Sequence, residues 1–327
     1  MRCDTLEPVL GEPEPAEEWP LDGYFRCLGY LFRLRCDSEV AADRIRTVLG
    51  AFEVPAERVQ TPVPPTPNVP PVYSLCQADV DWELRYGNDV LFSPERFDEV
   101  MSHLFWHINA EMARSTGSYL LIHAGAVASP SGEVFILPGD SGSGKTTLVA
   151  GLIRNGFTYL SDEAAAIDPI SRQLYPYPRA LTLKRGSFAL FPELEGAGLD
   201  KAVRLEEQWF VAPSTLGGKV AVGPHPARWV VVVRYEAGSP TRLETISPGT
   251  AVLELARRVM NMPHYGGRAL PLLADVVLGA STYRLVTGDL DEAVGALETL
   301  ASPREPRACE SVSIAPSSEE GTLPLLR

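Results

Sequence analysis

Val134-Phe135-Ile136-Leu137-Pro138-Gly139-Asp140-Ser141-Gly142-Ser143-Gly144-Lys145-Thr146-Thr147-Leu148-Val149 is the stretch on which the reading of this chain turns. An apolar run, a glycine-studded octet and the start of an amphipathic segment stand in the order strand, loop, helix. Residues 139–146 satisfy G-x-x-x-x-G-K-[ST] at every fixed position. The pattern has an electrostatic meaning. Glycines let the backbone turn tightly, so successive N–H groups converge on one point. A helix starting there adds the positive end of its dipole. The ammonium of Lys145 and the hydroxyl of Thr146 complete a cradle for polyphosphate and Mg²⁺. Gly139, Asp140, Ser141, Gly142, Ser143, Gly144, Lys145, Thr146 and Thr147 are therefore the expected contacts of a nucleoside triphosphate, with ATP and Mg²⁺ as the expected cofactors. No base-reading motif separates ATP from GTP.

Outward from the loop, the helix turns Leu148, Val149, Leu152 and Ile153 inward and stops at Asn155-Gly156. Upstream, Tyr119–Ile122 and Val134–Leu137 read as the arms of a hairpin turning at residues 129–132. A turn centred between Pro130 and Ser131 sets His123 opposite Pro138, within roughly 5.5 Å. From there His123 is expected to reach a phosphate or an acceptor hydroxyl, or else to make a structural hydrogen bond at the strand end. Downstream, a short strand containing Tyr159-Leu160 leads to Asp162-Glu163. Phosphoryl transfer needs carboxylates to hold a metal or take a proton. A strand returning from the helix carries this pair back to the level of the loop; otherwise the two acids cap a turn. The next apolar strand, Val230–Val233, ends in Arg234-Tyr235-Glu236, a poor match to that task.

The remaining sequence frames this centre. Residues 1–20 read as a disordered leader rich in Glu and Pro. Residues 21–60 read as a small α+β region, with strands between Tyr24 and Cys36 and a helix capped by Ser38 that turns Val40, Ile45 and Val48 inward. The proline-crowded segment 61–71 excludes helix and central strand and reads as an extended linker. Residues 72–301 form the main domain. Short strands over 72–92, with turns at Gln77–Asp79 and Gly87-Asn88, lead to a helix opened by Ser93 or Pro94. Phe97, Val100, Met101, Leu104, Phe105, Ile108 and Met112 make its inner face. His103 and His107 lie four apart on it without a third ligand, which favours an ordinary helix surface over a metal pair. Residues 185–225 read as loop-rich, 227–235 as a buried strand, 247–259 and 268–280 as helices, 282–286 as a strand, 290–300 as a last helix, and 302–327 as a disordered tail. The class is α/β.

The chain has 327 residues, 45% apolar, with a net charge of −13. The acidic excess argues against nucleic acid or an anionic membrane as partner. The odd cysteine set, Cys3, Cys27, Cys36, Cys76 and Cys309, without a CxxC pair, fits a reduced cytoplasm. Neither a signal peptide nor a membrane-length apolar run is visible, so the expected location is cytoplasmic.

The residues from Ile122-His123-Ala124-Gly125-Ala126-Val127 through the loop to Gly156-Phe157 and Ser161-Asp162-Glu163-Ala164 resemble the catalytic core of HPr kinase/phosphorylase, a fold related to ATP-dependent phosphoenolpyruvate carboxykinase. The likeness covers about residues 118–168. The whole layout is more similar to HPr-kinase-related proteins of peptide-tailoring systems, including lasso-peptide pathways. That resemblance implies a P-loop core of HPr-kinase/phosphoenolpyruvate-carboxykinase type with C-terminal helices and a homo-oligomer. It implies Asp162 as general base, Glu163 with Thr146 at Mg²⁺, His123 as the site histidine, and a serine of a peptide or protein as acceptor. Glu163 stands where the family has Asp. The later Glu-x-Arg-Gly-x-Gly signature is missing; Tyr175–Lys184 occupies its place. Within it Arg179 or Lys184 could neutralise charge on the departing phosphoryl group, with Arg268 a further candidate.

The expected function is thus an ATP-dependent serine-type kinase, an HPr-kinase-like phosphotransferase. Two rivals are an ATP-binding or ATP-hydrolysing regulator without a phosphoacceptor, and a small-molecule or carboxykinase-like enzyme using a cationic pocket of Arg179, Lys184 and Arg185.

Overall fold

Alternating burial over Tyr30–Cys36, with Phe25, Phe32 and Leu34 fully covered, makes the first ordered segments a hairpin. The computed structural model describes residues 19–59, 70–78, 81–94, 96–198 and 200–302. The leader and tail expected at 1–20 and 302–327, and the segment 61–71, fall outside the described residues except at 19–20, 70–71 and 302, as do Cys3 and Cys309.

The first layer contains β1 (Leu21–Cys27), β2 (Tyr30–Cys36), α1 (Glu39–Leu49), β3 (Glu53–Val54), β4 (Val72–Ala78), β5 (Asp81–Tyr86), β6 (Asp89–Phe92) and α2 (Phe97–Ser115). Its sheet runs β3-β1-β2-β4-β5-β6, with β2 and β4 parallel. The boundary drawn at residues 61–71 therefore crosses one continuous sheet, and 21–60 is not a separate tethered unit. Ser38 caps α1 as expected, accepting the Ala41 N–H. Val40 does not face inward: it is exposed, and Ala41, Ala42, Ile45, Val48 and Leu49 form the buried stripe. The α2 helix starts at Phe97, beyond the Ser93 or Pro94 expected to open it, and no side chain caps it. On α2, His107 bonds the Tyr73 hydroxyl at 2.8 Å and His103 stacks on Phe92, so each ring has a packing role.

The main sheet follows: β7 (Leu120–Ala128), β8 (Val134–Pro138), α3 (Lys145–Arg154), β9 (Thr158–Ser161), β10 (Ala164–Ile167) and β11 (Leu174–Tyr175). A small three-stranded sheet joins β12 (Leu181–Lys184) to β13 (Ala202–Arg204) and β14 (Gln208–Val211), the last two lying within the stretch read as loop-rich. Its strands are too short to show alternation. Then come β15 (Lys219–Val220), β16 (Ala227–Tyr235), β17 (Arg242–Thr245), α4 (Pro248–Ala256), α5 (Met262–Tyr265), α6 (Ala269–Leu278), β18 (Ser281–Thr287) and α7 (Leu290–Ala301). The order is β11-β10-β7-β8-β16-β18-β17, with β9 also on β7. The β8, β16 and β18 strands are parallel, and the valines of β16 are covered on both faces. One apolar cluster joins this sheet to α3 and α7, another joins its opposite face to α4 and α6.

The β7 strand is the hinge of the arrangement. One edge pairs with β8 at Ala124–Ala128, and the other with β10 at Leu120–His123 and β9 at Ala126–Ala128. Its Gly125 lies under α3, where an added Cβ would stand 2.7 Å from Val149 Cγ2. Gly125→Leu is expected to lift α3 and lower stability by about 1–3 kcal/mol, read as an earlier urea midpoint. An unchanged midpoint would mean that the helix does not need this close seat.

Candidate active site

Gly142 and Gly144 have φ of 82° and 87°, backbone settings that side chains disfavour. Gly144 stands at the head of α3, and no side chain caps that helix, which leaves first-turn N–H groups for a ligand. Gly139 is required by contact: a Cβ there would lie 2.3 Å from Ser143 Oγ and 2.8 Å from the Val233 carbonyl oxygen. Tyr235 at the end of β16 holds the loop from the side, its N–H donating to Ser143 O at 3.1 Å. Lys145 is buried, and its Nζ donates to Gly139 O at 2.8 Å and Asp140 O at 2.9 Å. Two of its three protons are thereby used on the loop. Burial pushes this ammonium down to about 8, against the opposing pull of Glu163.

The acidic pair is shaped by its own neighbours. Ser161 Oγ accepts the N–H groups of Glu163 at 3.1 Å and Ala164 at 3.0 Å, which lifts residues 162–163 out of the ladder. Ser161 opposite Ala126 and Ala164 opposite His123 keep the register on either side. The lifted pair thus stands across β7 from the end of β8, about 10 Å away at the ordinary strand spacing. Asp162 is 3% exposed. Its Oδ1 accepts the Tyr159 hydroxyl at 2.8 Å and its Oδ2 accepts the Thr182 N–H at 3.0 Å. Burial raises its proton affinity and Glu163 adds to that, while Arg179 opposes.

Arg179, 4% exposed, donates to Glu163 Oε2 at 3.2 Å and Thr182 Oγ1 at 3.0 Å. Burial disfavours its charge, but Glu163 and then Asp162 hold it firmly protonated. The first layer fixes the backbone around it. Tyr177 stacks on Phe52 and donates to Asn109 Oδ1 at 2.8 Å, and the Ala180 N–H donates to Val48 O at 3.2 Å.

His123 is not opposite Pro138. The hairpin loop centres on Ser131, one half-step later than the sequence reading, so Ala124 faces Pro138 and His123 faces Ala164. This brings His123 to Glu163: Nδ1 lies 3.1 Å from Glu163 O and 3.6 Å from Oε1. A carbonyl oxygen only accepts, so the proton belongs on Nδ1 and Nε2 keeps its lone pair. Burial lowers the ring's proton affinity, with Glu163 opposing, which favours the neutral form.

A cavity of about 510 Å³ gathers these groups. Residues 141–147 of the loop, His123, Asp162, Glu163 and Lys184 line it, and Val233, Tyr235, Leu290 and Ala293 form an apolar wall beyond α3. Gly139 and Asp140 act from behind through their carbonyls. Arg179 does not reach the cavity; it is spent on the acidic turn. Lys184 does reach it, with Nζ 3.3 Å from Ser141 Oγ. Arg185 pairs with Glu207 at 2.9 Å, and Arg268 bonds His264 O and lies over Tyr265, both outside the cavity lining. Two residues escaped the sequence reading. Arg258 binds Asp140 Oδ1 at 2.6 Å and Glu254 Oε2 at 2.7 Å, and its carbonyl accepts the His123 N–H at 2.8 Å. In sequence it is one of two adjacent arginines at a helix end, with no spacing to mark it. Tyr159 read as half of the apolar pair Tyr159-Leu160 in a short strand, and only its hydroxyl partners distinguish it.

No protein-family model matches the chain, and no curated protein does. Among solved structures, one match is the Hpr(Ser) kinase/phosphatase from Coxiella burnetii, at 13% identity and a TM-score of 0.27, covering 55% of this chain and 92% of that one. At that score the likeness carries no argument, and the chemistry of this chain rests on its own geometry. Among the described residues, no helix is long and apolar enough to cross a membrane, and no group of three or more His, Cys, Asp or Glu side chains is gathered to hold a metal ion.

Since the free ammonium of Lys145 discharges as pH rises through about 8, affinity for inorganic triphosphate is expected to fall across that range. Calorimetric titration at pH 7 and pH 9 checks this; equal affinities would remove Lys145 from the anion site. Arg179→Met is expected to cost about 3 kcal/mol or more in urea unfolding, because it leaves buried carboxylates uncompensated.

Proposed function

We propose that the chain is an ATP-dependent kinase that transfers the γ-phosphoryl group to a serine-type hydroxyl of a protein or peptide. The observation that carries this reading is that the phosphate loop, both carboxylates of the acidic turn and His123 line one cavity. A cradle alone would serve binding. A cradle facing a buried carboxylate of raised proton affinity also serves proton removal from a nucleophile.

Residues 141–147, Lys145 among them, bind the triphosphate, and Lys184 adds charge beside Ser141. Ser143 Oγ is buried without a partner among the described residues, as an oxygen awaiting a ligand would be. The apolar wall of Val233, Leu290 and Ala293 suits the face of a nucleobase. Mg²⁺ usually binds through one or two carboxylates, waters and substrate phosphates. Glu163 and Thr146 provide such a donor set on this cavity, and when bound the ion would shield phosphate charge. Asp162 takes the proton of the acceptor hydroxyl as that oxygen bonds to the γ-phosphorus and the bond to ADP breaks. His123, neutral and protonated on Nδ1, offers Nε2 as an acceptor that orients the hydroxyl. Arg179 keeps Glu163 in place.

A cationic pocket for a small acidic substrate is not assembled from the three residues expected to form it. Arg179 is paired with Glu163 and Arg185 with Glu207, which leaves Lys184. This favours a neutral hydroxyl acceptor over a carboxykinase-like substrate.

Lys145→Ala is expected to lower transfer by roughly 10²-fold or more, through lost charge stabilisation. Asp162→Asn is expected to lower it by roughly 10²- to 10⁴-fold with nucleotide affinity retained. Both are read by mass spectrometry after incubation with γ-labelled ATP and a panel of peptides, an HPr-like protein and free serine. Label passing only to water across the whole panel would favour a regulatory ATPase instead.

A further inference from the structure

One row of β16 side chains outruns the helices that cover it. Alternate residues of a strand share a face, so Trp229, Val231, Val233 and Tyr235 point to the same side of the sheet. The first three are buried in the apolar cluster with α3 and α7. Tyr235, the next in the row, is 53% exposed and lies on the wall of the cavity. It stands beside the head of α3, where a Cβ on Gly144 would lie 3.4 Å from its own Cβ. Among the described residues its ring meets no other ring, and its hydroxyl has no hydrogen-bond partner. Its backbone is nonetheless fixed, by the parallel ladder to Thr287 and by the N–H bond to Ser143 O in the phosphate loop. A rigidly held, uncovered aromatic face on a cavity wall is a ready stacking surface. The polar side chains beside it are already engaged. Thr287 Oγ1 donates to Asp289 O at 2.6 Å, and Asp289 Oδ1 accepts the Glu292 N–H at 2.9 Å to cap α7. Val233, Leu290 and Ala293 make the rest of this wall apolar. Such a wall suits the flat face of a base and offers little to its edge.

Resting on the nucleotide-binding part of the kinase reading above, we propose that Tyr235 is the stacking platform for the nucleobase. The site then takes purine nucleoside triphosphates by the face of the base, and accepts ATP and GTP alike. Base–aromatic stacking is tolerant because every base has a π face, and a purine presents more of it than a pyrimidine. The glycine loop supplies affinity for the phosphates, and Tyr235 supplies the margin between a nucleotide and bare triphosphate. The bond from its N–H to Ser143 O sets the platform at a fixed place relative to the phosphates.

Calorimetric titration in the presence of Mg²⁺ compares ATP, GTP and inorganic triphosphate. In the unaltered protein ATP and GTP are expected to bind within about threefold of one another, and both roughly tenfold more tightly than triphosphate. Tyr235→Ala is expected to remove most of that margin for both nucleotides and to leave triphosphate affinity unchanged. Tyr235→Phe retains the margin, because stacking needs the ring and not the hydroxyl. A second readout is the purine H8 proton signal, which a stacked ring moves upfield. That shift is expected with the unaltered protein and with Y235F, and is lost with Y235A. Equal losses for ATP and triphosphate in Y235A would make Tyr235 a mere support of the loop and overturn the proposal. An unchanged ATP affinity in Y235A, or ATP and GTP affinities differing by about tenfold or more, would do the same. A Tyr235-dependent ATP affinity without transfer to any acceptor sinks the kinase reading and leaves the stacking platform standing. No uptake of any triphosphate by the unaltered protein sinks both.

Discussion

Arg179 carries its charge where almost no water reaches, with Glu163 at 3.2 Å and Asp162 acting on it from the same turn. Removing charged groups from water is costly, and such a cluster survives only when hydrogen bonds fill the remaining valences. Here they do so on the carboxylate side: Thr182 and Tyr159 serve Asp162, and Ser161 holds the backbone of the turn. One guanidinium nitrogen, Nε, is left without a partner among the described residues. Ser161 and the β7–β10 register set the backbone of the turn and the place of His123, and this balance of charges holds the Glu163 carboxylate between Arg179 and His123.

Topology does the rest. A single strand, β7, has the strand of the phosphate loop on one edge and the strands flanking the acidic turn on the other. The glycine loop and the carboxylates are therefore spaced by the backbone ladders of the strands that carry them. For the kinase proposed above this separation matters, because carboxylates and polyphosphate repel one another, and close contact without a cation between them would weaken binding. Lys145 and Lys184 both line the cavity, and Lys184 is among the charges that act on Lys145.

The sequence made the strand–loop–helix unit legible because its glycines, lysine and threonine are constrained at every place and its flanks show clean periodicity. The short strand before Asp162 was legible for the same reason. What escaped was everything set by tertiary contact. The hairpin register slipped by one position because Ser129-Pro130-Ser131-Gly132 permits more than one turn centre. Arg179 was read as a cation for phosphate, since sequence shows a charge but not its buried partner. Tyr159 showed only as half of an apolar pair, Arg258 had no spacing to mark it, and the strands β13 and β14 carried too few residues for a pattern. The proline-rich segment read as a border between units, because composition cannot show that β2 and β4 lie side by side.

The packing of Tyr177 on Phe52 and the bond from Ala180 to Val48 have a consequence for the architecture of the protein. These contacts bracket Arg179 on both sides, so the N-terminal layer acts as an abutment for the acidic turn. A chain stripped of residues 19–59 would keep every side chain that lines the cavity. It would lose the wall against which the backbone on either side of Arg179 is braced. The amino-terminal layer thus braces, from about a hundred positions away in sequence, the turn to which the proposed chemistry is assigned.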